Sequence, residues 1–222
     1  MNFVKKYFSY LNVINQKKYE SAYNGTLEIN WLNGKKVLDT TNTNYSYGNL
    51  GKVLKKGIQK ITTPFKEASN EILILGLGGG DAVKQLRNNF KSKAAITALE
   101  IDPVVIEIAV NEFDILSFNN VTIINQDAEL FLKYSKNTYH LIIVDLFFDA
   151  TIPDFVFQQS FIQNINNSLH KNGSVIFNTF ILDDLHNLRN QKFIHLLKTY
   201  FTIQSFKNLY GHNHLIIAQK II

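Results

Sequence analysis

One stretch decides the fold: residues 71–81 read EILILGLGGGD. An apolar run ends in a glycine cluster, as expected where a buried strand turns sharply into a helix, because glycine accepts positive φ and lets a ligand lie against bare backbone. A second apolar run closes at Glu100, 20 residues beyond Gly80. A carboxylate at that spacing is placed to bind the two hydroxyls of a ribose. The pairing predicts a nucleotide-like ligand.

The chain beyond this stretch alternates strands with helices. We predict strands at 71–76, 94–100, 121–125, 139–146 and 173–179, and helices at about 80–90, 103–113, 127–135 and 155–170. A final helix, which Asp183 and Asp184 precede, should extend to about Tyr200. Apolar strands joined by helices form a parallel sheet that is covered on both faces. The last two strand-like runs, 201–206 and 215–219, leave no room for a helix between them and must pair antiparallel.

A parallel sheet finished by an antiparallel hairpin is typical of class I methyltransferase-like folds, which are Rossmann-like, and not of nicotinamide dehydrogenases. The predicted fold is therefore α/β with a mostly parallel seven-stranded sheet and an antiparallel C-terminal hairpin. The residues before it predict a small β region, because 26–40 alternate apolar with polar side chains around an Asn33-Gly34 turn. A helical pattern over 48–61 follows. We divide the chain into residues 1–61 and residues 62–222.

Composition excludes several classes of protein. The chain has no cysteine, so it has neither disulfides nor thiolate metal sites. No apolar run reaches the roughly 18–20 residues of a membrane helix, and the N-terminus lacks a secretory cleavage pattern. The histidines show no metal-ligand spacing, and we predict no metal. Residues 1–70 hold 11 Lys against 4 acids, but as scattered pairs, so we expect a cytoplasmic protein with no nucleic-acid or membrane partner.

The glycine loop and the acid that follows it narrow the choice of ligand. Gly76, Gly78 and Gly80 would let a ligand approach the backbone, where the following helix adds N–H donors. Asp81 would repel a pyrophosphate but attract the amine of an S-adenosyl ligand, and its alternative role is to cap the helix. An S-adenosylmethionine-type ligand is therefore favoured over a dinucleotide.

Three further acids follow the next strands. Glu100 offers two oxygens to ribose hydroxyls, unless it is only an exposed strand end. Asp127, which precedes Ala128, is placed to accept from an adenine amino group or to cap a helix. Asp145 is placed to orient or deprotonate a nucleophile, or to fix its own loop.

Four segments resemble successive motifs of the spermidine synthase (polyamine aminopropyltransferase) family: GLGGGD at 76–81, LEIDPVVI at 99–106, DAELFL at 127–132 and LIIVD at 141–145. Residues 24–50, which include LDT at 38–40 and YSYG at 45–48, are similar to the family's small N-terminal β-domain and the tyrosine-bearing segment after it. The resemblance covers the chain from about residue 20 and implies a methyltransferase-like fold.

The resemblance also implies roles for individual residues. Glu100 matches the family's ribose-binding acid, Asp127 its adenine-contacting acid with Ala128 beside it, and Asp81 the acid that meets the ligand's amine. Asp145 matches the first acid of the catalytic loop. The chain reads DLFFD at 145–149, so the second acid comes one place late and aromatic residues replace small hydroxyl residues.

The half of the site that would bind a polyamine is therefore altered. Polyamines are strings of ammonium groups that need carboxylates, and the segment 43–48 lacks the acids and the histidine of the family pattern. We predict Asp145 as the catalytic residue, with Asp149 and Tyr47 as helpers. The co-substrate is S-adenosylmethionine or its decarboxylated form.

Three functions stay open at this point. The first is aminopropyl transfer to a small amine. The second is methyl transfer to an unknown small acceptor, which the apolar 146–148 segment favours. The third is a non-catalytic adenosyl-binding protein. The N-terminal hairpin also offers a contact for a homodimer.

Overall fold

The computed structural model describes residues 9–10, 13–40, 49–148 and 151–221. Its larger sheet has seven strands in the order β6-β5-β4-β7-β8-β10-β9. The first five are parallel, and β10 runs antiparallel to both of its neighbours. The strands are β4 Glu71–Leu75, β5 Ala95–Glu100, β6 Val121–Asn125, β7 Tyr139–Val144, β8 Leu169–Phe180, β9 Phe201–Leu209 and β10 Asn213–Lys220. The predicted parallel sheet with an antiparallel C-terminal hairpin is confirmed.

Helices cover both faces of this sheet and bury one apolar cluster on each. They are α1 Asn49–Gln59, α2 Asp81–Lys84 with a π-helical turn Gln85–Asn89, α3 Pro103–Asn111, α4 Ala128–Tyr134, α5 Gln159–Asn167 and α6 Asp184–Leu197. Single 3-10 turns lie at Ile115–Ser117 and Asp154–Phe157. No helix in the described ranges is both long enough and apolar enough to cross a membrane.

A separate antiparallel sheet precedes these elements. It contains β1 Ile14–Ser21, β2 Gly25–Leu32 and β3 Lys35–Thr40, in the order β1-β2-β3. The predicted hairpin is β2 and β3, and its Asn33-Gly34 turn has positive φ at both residues, as a tight hairpin requires. We did not predict β1, because its sequence, INQKKYES, is almost entirely polar.

The boundary between α5 and β8 also differs from the prediction. We expected a helix to 170 and a strand from 173, but α5 ends at Asn167 and β8 begins at Leu169. The polar residues 170–172 indicated a loop. In the structure Leu169 already pairs with Tyr139 of β7, and Asn172 takes up the irregularity with a φ of 62°.

Helix α3 lies between the two sheets. Leu27, Ile29 and Leu38 of the small sheet bury their side chains against Val105 and Ile108 of this helix. Helix α1, by contrast, packs on the large sheet: a Cβ at Gly57 would lie 2.9 Å from Leu215 Cδ2 on β10. The division at residue 61 stays a prediction.

Candidate functional site

The carboxyl ends of four parallel strands meet at one edge of the large sheet. Leu75 at the end of β4 pairs with Leu99 of β5 and with Val144 of β7, and Glu100 pairs with Asn125 of β6. The glycine loop, Glu100, Asp127 and Asp145 all follow these strand ends. The topology therefore brings the acids singled out in the sequence to one edge, where open α/β sheets bind their ligands.

Position 76 requires glycine because of its backbone conformation and the atoms packed against it. Its φ is +91°, its N–H donates to Leu99 O at 3.0 Å, and a Cβ would lie 2.1 Å from Asp145 O. No other residue fits between two strand ends at that distance. Gly80 is similar, with a φ of +79° and Ile115 Cδ1 at 2.3 Å from where a Cβ would be. Gly78 also has a positive φ, of +50°, so three glycines of the loop adopt the left-handed backbone conformation that glycine accepts most readily.

Glu100 is not the exposed strand end that was its alternative, since its exposed fraction is only 6%. Its Oε2 accepts from the backbone N–H groups of Leu77, at 3.2 Å, and Gly78, at 3.3 Å. Its Oε1 accepts from the N–H of Asp102 at 3.1 Å. Burial raises the pKa of Glu100 and these backbone donors oppose the rise. The carboxylate therefore holds the glycine loop in shape, a role that the spacing alone did not reveal.

Asp81 is the first residue of α2 and is half-buried. Burial raises the pKa of its carboxyl, while the charges of Lys84 and Lys35 act in the opposite direction. Lys84 is itself held in place, because its Nζ donates to Gly79 O at 2.8 Å and lies 4.2 Å from the centre of the Phe113 ring.

Asp127 caps α4, as its alternative role predicted. Its Oδ1 accepts from the N–H of Leu130 at 2.8 Å, and Ala128 starts the helix as a buried residue. The neighbouring Asn125 is the last residue of β6. Its Nδ2 donates to the carbonyls of Glu100 and Ile101, at 2.9 Å each, and joins the ends of β5 and β6. Contact of Asp127 with adenine stays a prediction.

Asp145 follows β7, and its N–H donates to Leu75 O at 2.9 Å. Burial, together with the charges of Asp81 and Glu100, raises the pKa of Asp145 to about 7, and a hydrogen bond from Asn178 opposes the rise. That bond joins Asn178 Nδ2 to Asp145 Oδ1 at 2.9 Å. Sequence reasoning missed Asn178, although an amide inside the apolar run of β8 is a signal that could have found it.

The other two predicted catalytic residues, Tyr47 and Asp149, lie outside the described residues. Beside Asp145, the ring of Phe147 stacks on Phe180 with centroids 6.1 Å apart. Within the described ranges, no three His, Asp or Glu side chains are grouped so that they could hold a metal ion.

The acidic side chains at this edge of the sheet affect one another's ionisation. Asp81 and Glu100 both raise the pKa of Asp145, so three carboxyl groups interact at one sheet edge. A ligand that carried positive charge among them would relieve their mutual repulsion and favour their ionised forms. A carboxyl that titrates near neutral pH is also suited to take a proton from a reacting group.

Comparison with known proteins agrees with this reading of the fold. The strand order and the antiparallel last strands define a class I methyltransferase-like fold. The crystal structure of a probable spermidine synthase from Corynebacterium glutamicum ATCC 13032 superimposes with a TM-score of 0.74 at 16% identity, covering 91% of this chain and 79% of that one.

Sequence comparison shows the family. The model of the spermine/spermidine synthase domain matches residues 52–207, so the chain belongs to the spermine/spermidine synthase family. A relative named "Probable polyamine aminopropyl transferase", from Bifidobacterium longum (strain NCC 2705), is 28% identical over 173 residues, covering 73% of this chain and 38% of its own length. An "eEF1A lysine and N-terminal methyltransferase homolog" from Drosophila pseudoobscura pseudoobscura is 31% identical over 101 residues, covering 44% of this chain and 14% of its own length. The chain thus spans less than half the length of either relative.

Proposed function

We propose that this protein binds an adenosyl sulfonium and transfers an aminopropyl group from it to a small amine. The observation that carries the proposal is that Asp81, Glu100 and Asp145 lie at or just after the ends of the neighbouring strands β4, β5 and β7, at the ligand edge of the sheet, where Asp81 and Glu100 raise the pKa of Asp145. Membership of the spermine/spermidine synthase family supports the same chemistry. Glu100 and Asp127 would bind the ribose and the adenine, and Asp81 the amine of the co-substrate.

The transfer itself needs little covalent chemistry from the protein, because a sulfonium already activates the carbon next to it. The amine nitrogen attacks that carbon, the carbon–sulfur bond breaks, and a neutral thioether leaves. The nitrogen must be unprotonated to attack and must shed a proton as the new bond forms. Asp145 would take that proton, and Asn178 fixes the direction in which its carboxylate points.

A second function, methyl transfer, has an observation of its own. The residues that follow Asp145 are Leu146 and Phe147, and Phe147 stacks on Phe180 instead of presenting a polar group to an acceptor. Such a lining favours an acceptor with less charge than a polyamine. One of the two relatives named above is a methyltransferase homolog, which also supports this alternative.

Calorimetric titration separates the candidates. We would titrate the protein with S-adenosylmethionine, its decarboxylated form and methylthioadenosine, and then assay turnover. Preference for the decarboxylated form with turnover of putrescine supports aminopropyl transfer. Preference for S-adenosylmethionine without polyamine turnover supports methyl transfer. Binding without turnover of any amine in a broad panel would support a non-catalytic adenosyl-binding protein. If none of the three compounds binds, the prediction of an adenosyl ligand is wrong.

A matched variant sharpens the test. In Asp81→Asn the charge next to the ligand's amine is lost and the size of the side chain is kept. Affinity for the decarboxylated co-substrate should fall by about tenfold or more, because a charge-assisted contact is lost. Affinity for methylthioadenosine, which has no amine, should hardly change. Equal losses for both ligands would show that Asp81 does not meet the amine.

A further inference from the structure

The turn between β1 and β2 is hydrogen-bonded to one buried carboxylate in the short segment between β5 and α3. Asp102, whose side chain is fully buried, precedes α3. Its Oδ2 accepts from the Ser21 hydroxyl and, at 2.6 Å, from Asn24 Nδ2. The Ser21 Oγ also accepts from the N–H groups of Tyr23 and Asn24, at 3.0 Å each, so one hydroxyl links the backbone of the turn to Asp102.

The same aspartate reaches the predicted ribose carboxylate. Asp102 Oδ1 caps α3 by accepting from the N–H of Val104 at 2.9 Å, and its own N–H donates to Glu100 Oε1 at 3.1 Å. Glu100 Oε2 in turn accepts from Leu77 and Gly78. A continuous series of hydrogen bonds therefore runs from the small sheet, through Asp102 and Glu100, to the glycine loop.

The other end of α3 is fixed to the same sheet. Glu112, which follows the helix and is 8% exposed, pairs with Lys17 and, at 2.8 Å, with Lys36, and accepts from the Tyr19 hydroxyl at 3.1 Å. The apolar side chains of the small sheet fill the space between these two anchors. The small sheet therefore contacts the segment from Asp102 to Glu112 at both ends and along the apolar face between them.

We propose that Asp102 is a positioning residue: docking of the β1–β2 turn on its carboxylate holds Glu100 and the glycine loop in the shape that binds the adenosyl ligand. The small sheet then sets ligand affinity without touching the ligand. The inference rests on the proposed function for what the loop binds. The coupling itself concerns only residues within the protein and is measurable without a ligand.

Amide hydrogen exchange on the ligand-free protein tests the coupling directly, because the N–H groups of Leu77 and Gly78 are the donors at Glu100. Asn24→Ala and Ser21→Ala should each speed exchange at these two amides by about fivefold, the factor expected for one lost hydrogen bond. Ser21→Thr keeps the hydroxyl and should restore the wild-type rate. Asn15→Ala is the matched control, since it removes a hydrogen bond to Glu28 on the exposed part of the same sheet.

The outcomes are distinct. Faster exchange at Leu77 and Gly78, with unchanged exchange at buried Ile143 of β7, supports the proposal. Faster exchange confined to 14–32 overturns it, because the sheet would then loosen without affecting the loop. Equal acceleration at Ile143 in both alanine variants also overturns it, since the effect would be global unfolding.

Titration with methylthioadenosine supplies the second readout. Asn24→Ala should weaken its binding by about fivefold, whereas Asn15→Ala should leave it unchanged. Unchanged affinity in Asn24→Ala would show that docking of the small sheet does not affect ligand binding, and would overturn that part of the proposal. If the wild-type protein binds no adenosyl compound, the proposed function fails, and the exchange rates still decide whether the coupling exists.

Discussion

Replacing Asp145 by Asn removes one charge from the crowded edge of the sheet and keeps the shape of the side chain. The amide oxygen can still accept from Asn178, whose Nδ2 lies 2.9 Å from the present Oδ1. The variant therefore isolates the effect of the charge. We expect it to unfold less readily than the wild type at pH 8 and to lose transfer activity by about 10²–10⁴-fold, since the proton acceptor is gone.

The magnitude follows from the pKa. Burial, Asp81 and Glu100 raise the pKa of Asp145 from 3.8 to about 7. An acid whose pKa is higher in the folded state stabilises the fold below its unfolded-state pKa, and that contribution is lost as pH rises through the folded-state pKa. Each pKa unit corresponds to about 1.4 kcal/mol, so the loss has an upper limit of about 4 kcal/mol. Because the residue is only half-buried, we expect about 1–3 kcal/mol.

Urea denaturation between pH 4.5 and 8.5 measures this difference. The free energy of unfolding of Asp145→Asn should exceed that of the wild type by an amount that grows up to about pH 7 and then stays level. Asp183→Asn is the control. Asp183 is exposed, and the N–H and ring of His186 lower its pKa, so its replacement should destabilise the protein without such growth. The reasoning would be refuted if the difference in the free energy of unfolding between Asp145→Asn and the wild type did not change with pH. It would also be refuted if Asp145→Asn were less stable than the wild type at pH 8.

Three further substitutions test other parts of the structure. Gly76→Ala should lower the free energy of unfolding by more than about 2 kcal/mol in urea denaturation, because its Cβ would meet a carbonyl oxygen at 2.1 Å and its φ is +91°; normal stability would contradict the loop geometry. Glu112→Gln should cost about 1–3 kcal/mol at pH 7, measured in the same way. Since Lys17 and Lys36 lower the pKa of Glu112, that cost should shrink as pH falls from the ordinary value of 4.5 through the lower folded-state pKa. A cost that does not change with pH over the acid range would count against the ion pairs. Asp127→Ser keeps a helix cap, so the free energy of unfolding should change by less than about 0.5 kcal/mol. Titration with methylthioadenosine should nevertheless show about tenfold weaker binding. Unchanged affinity would mean that Asp127 only caps the helix and does not contact the ligand.

Much of the fold was predictable, because its signals are local. The strand β6 has the predicted bounds, 121–125, and the turn at Asn33-Gly34 follows from residue types that accept positive φ. Helix α3 begins at Pro103, the predicted position, because proline suits the first turn of a helix and the preceding Asp102 caps it by accepting from the N–H of Val104. The polar strand β1 escaped prediction because its pairing with β2 and its docking on α3 stabilise it, and neither partner is visible in its own eight residues.

The sequence by itself determined which residue types gather at the ligand edge, because parallel strands joined by helices must end on one side of the sheet. It placed the glycines and the acids Asp81, Glu100, Asp127 and Asp145 there. Only the tertiary structure decided what each acid does within the protein. Glu100 holds the glycine loop, Asp127 caps a helix, and Asp145 has a pKa of about 7. Burial and neighbouring charges set these properties, and they come from segments that are distant in the sequence.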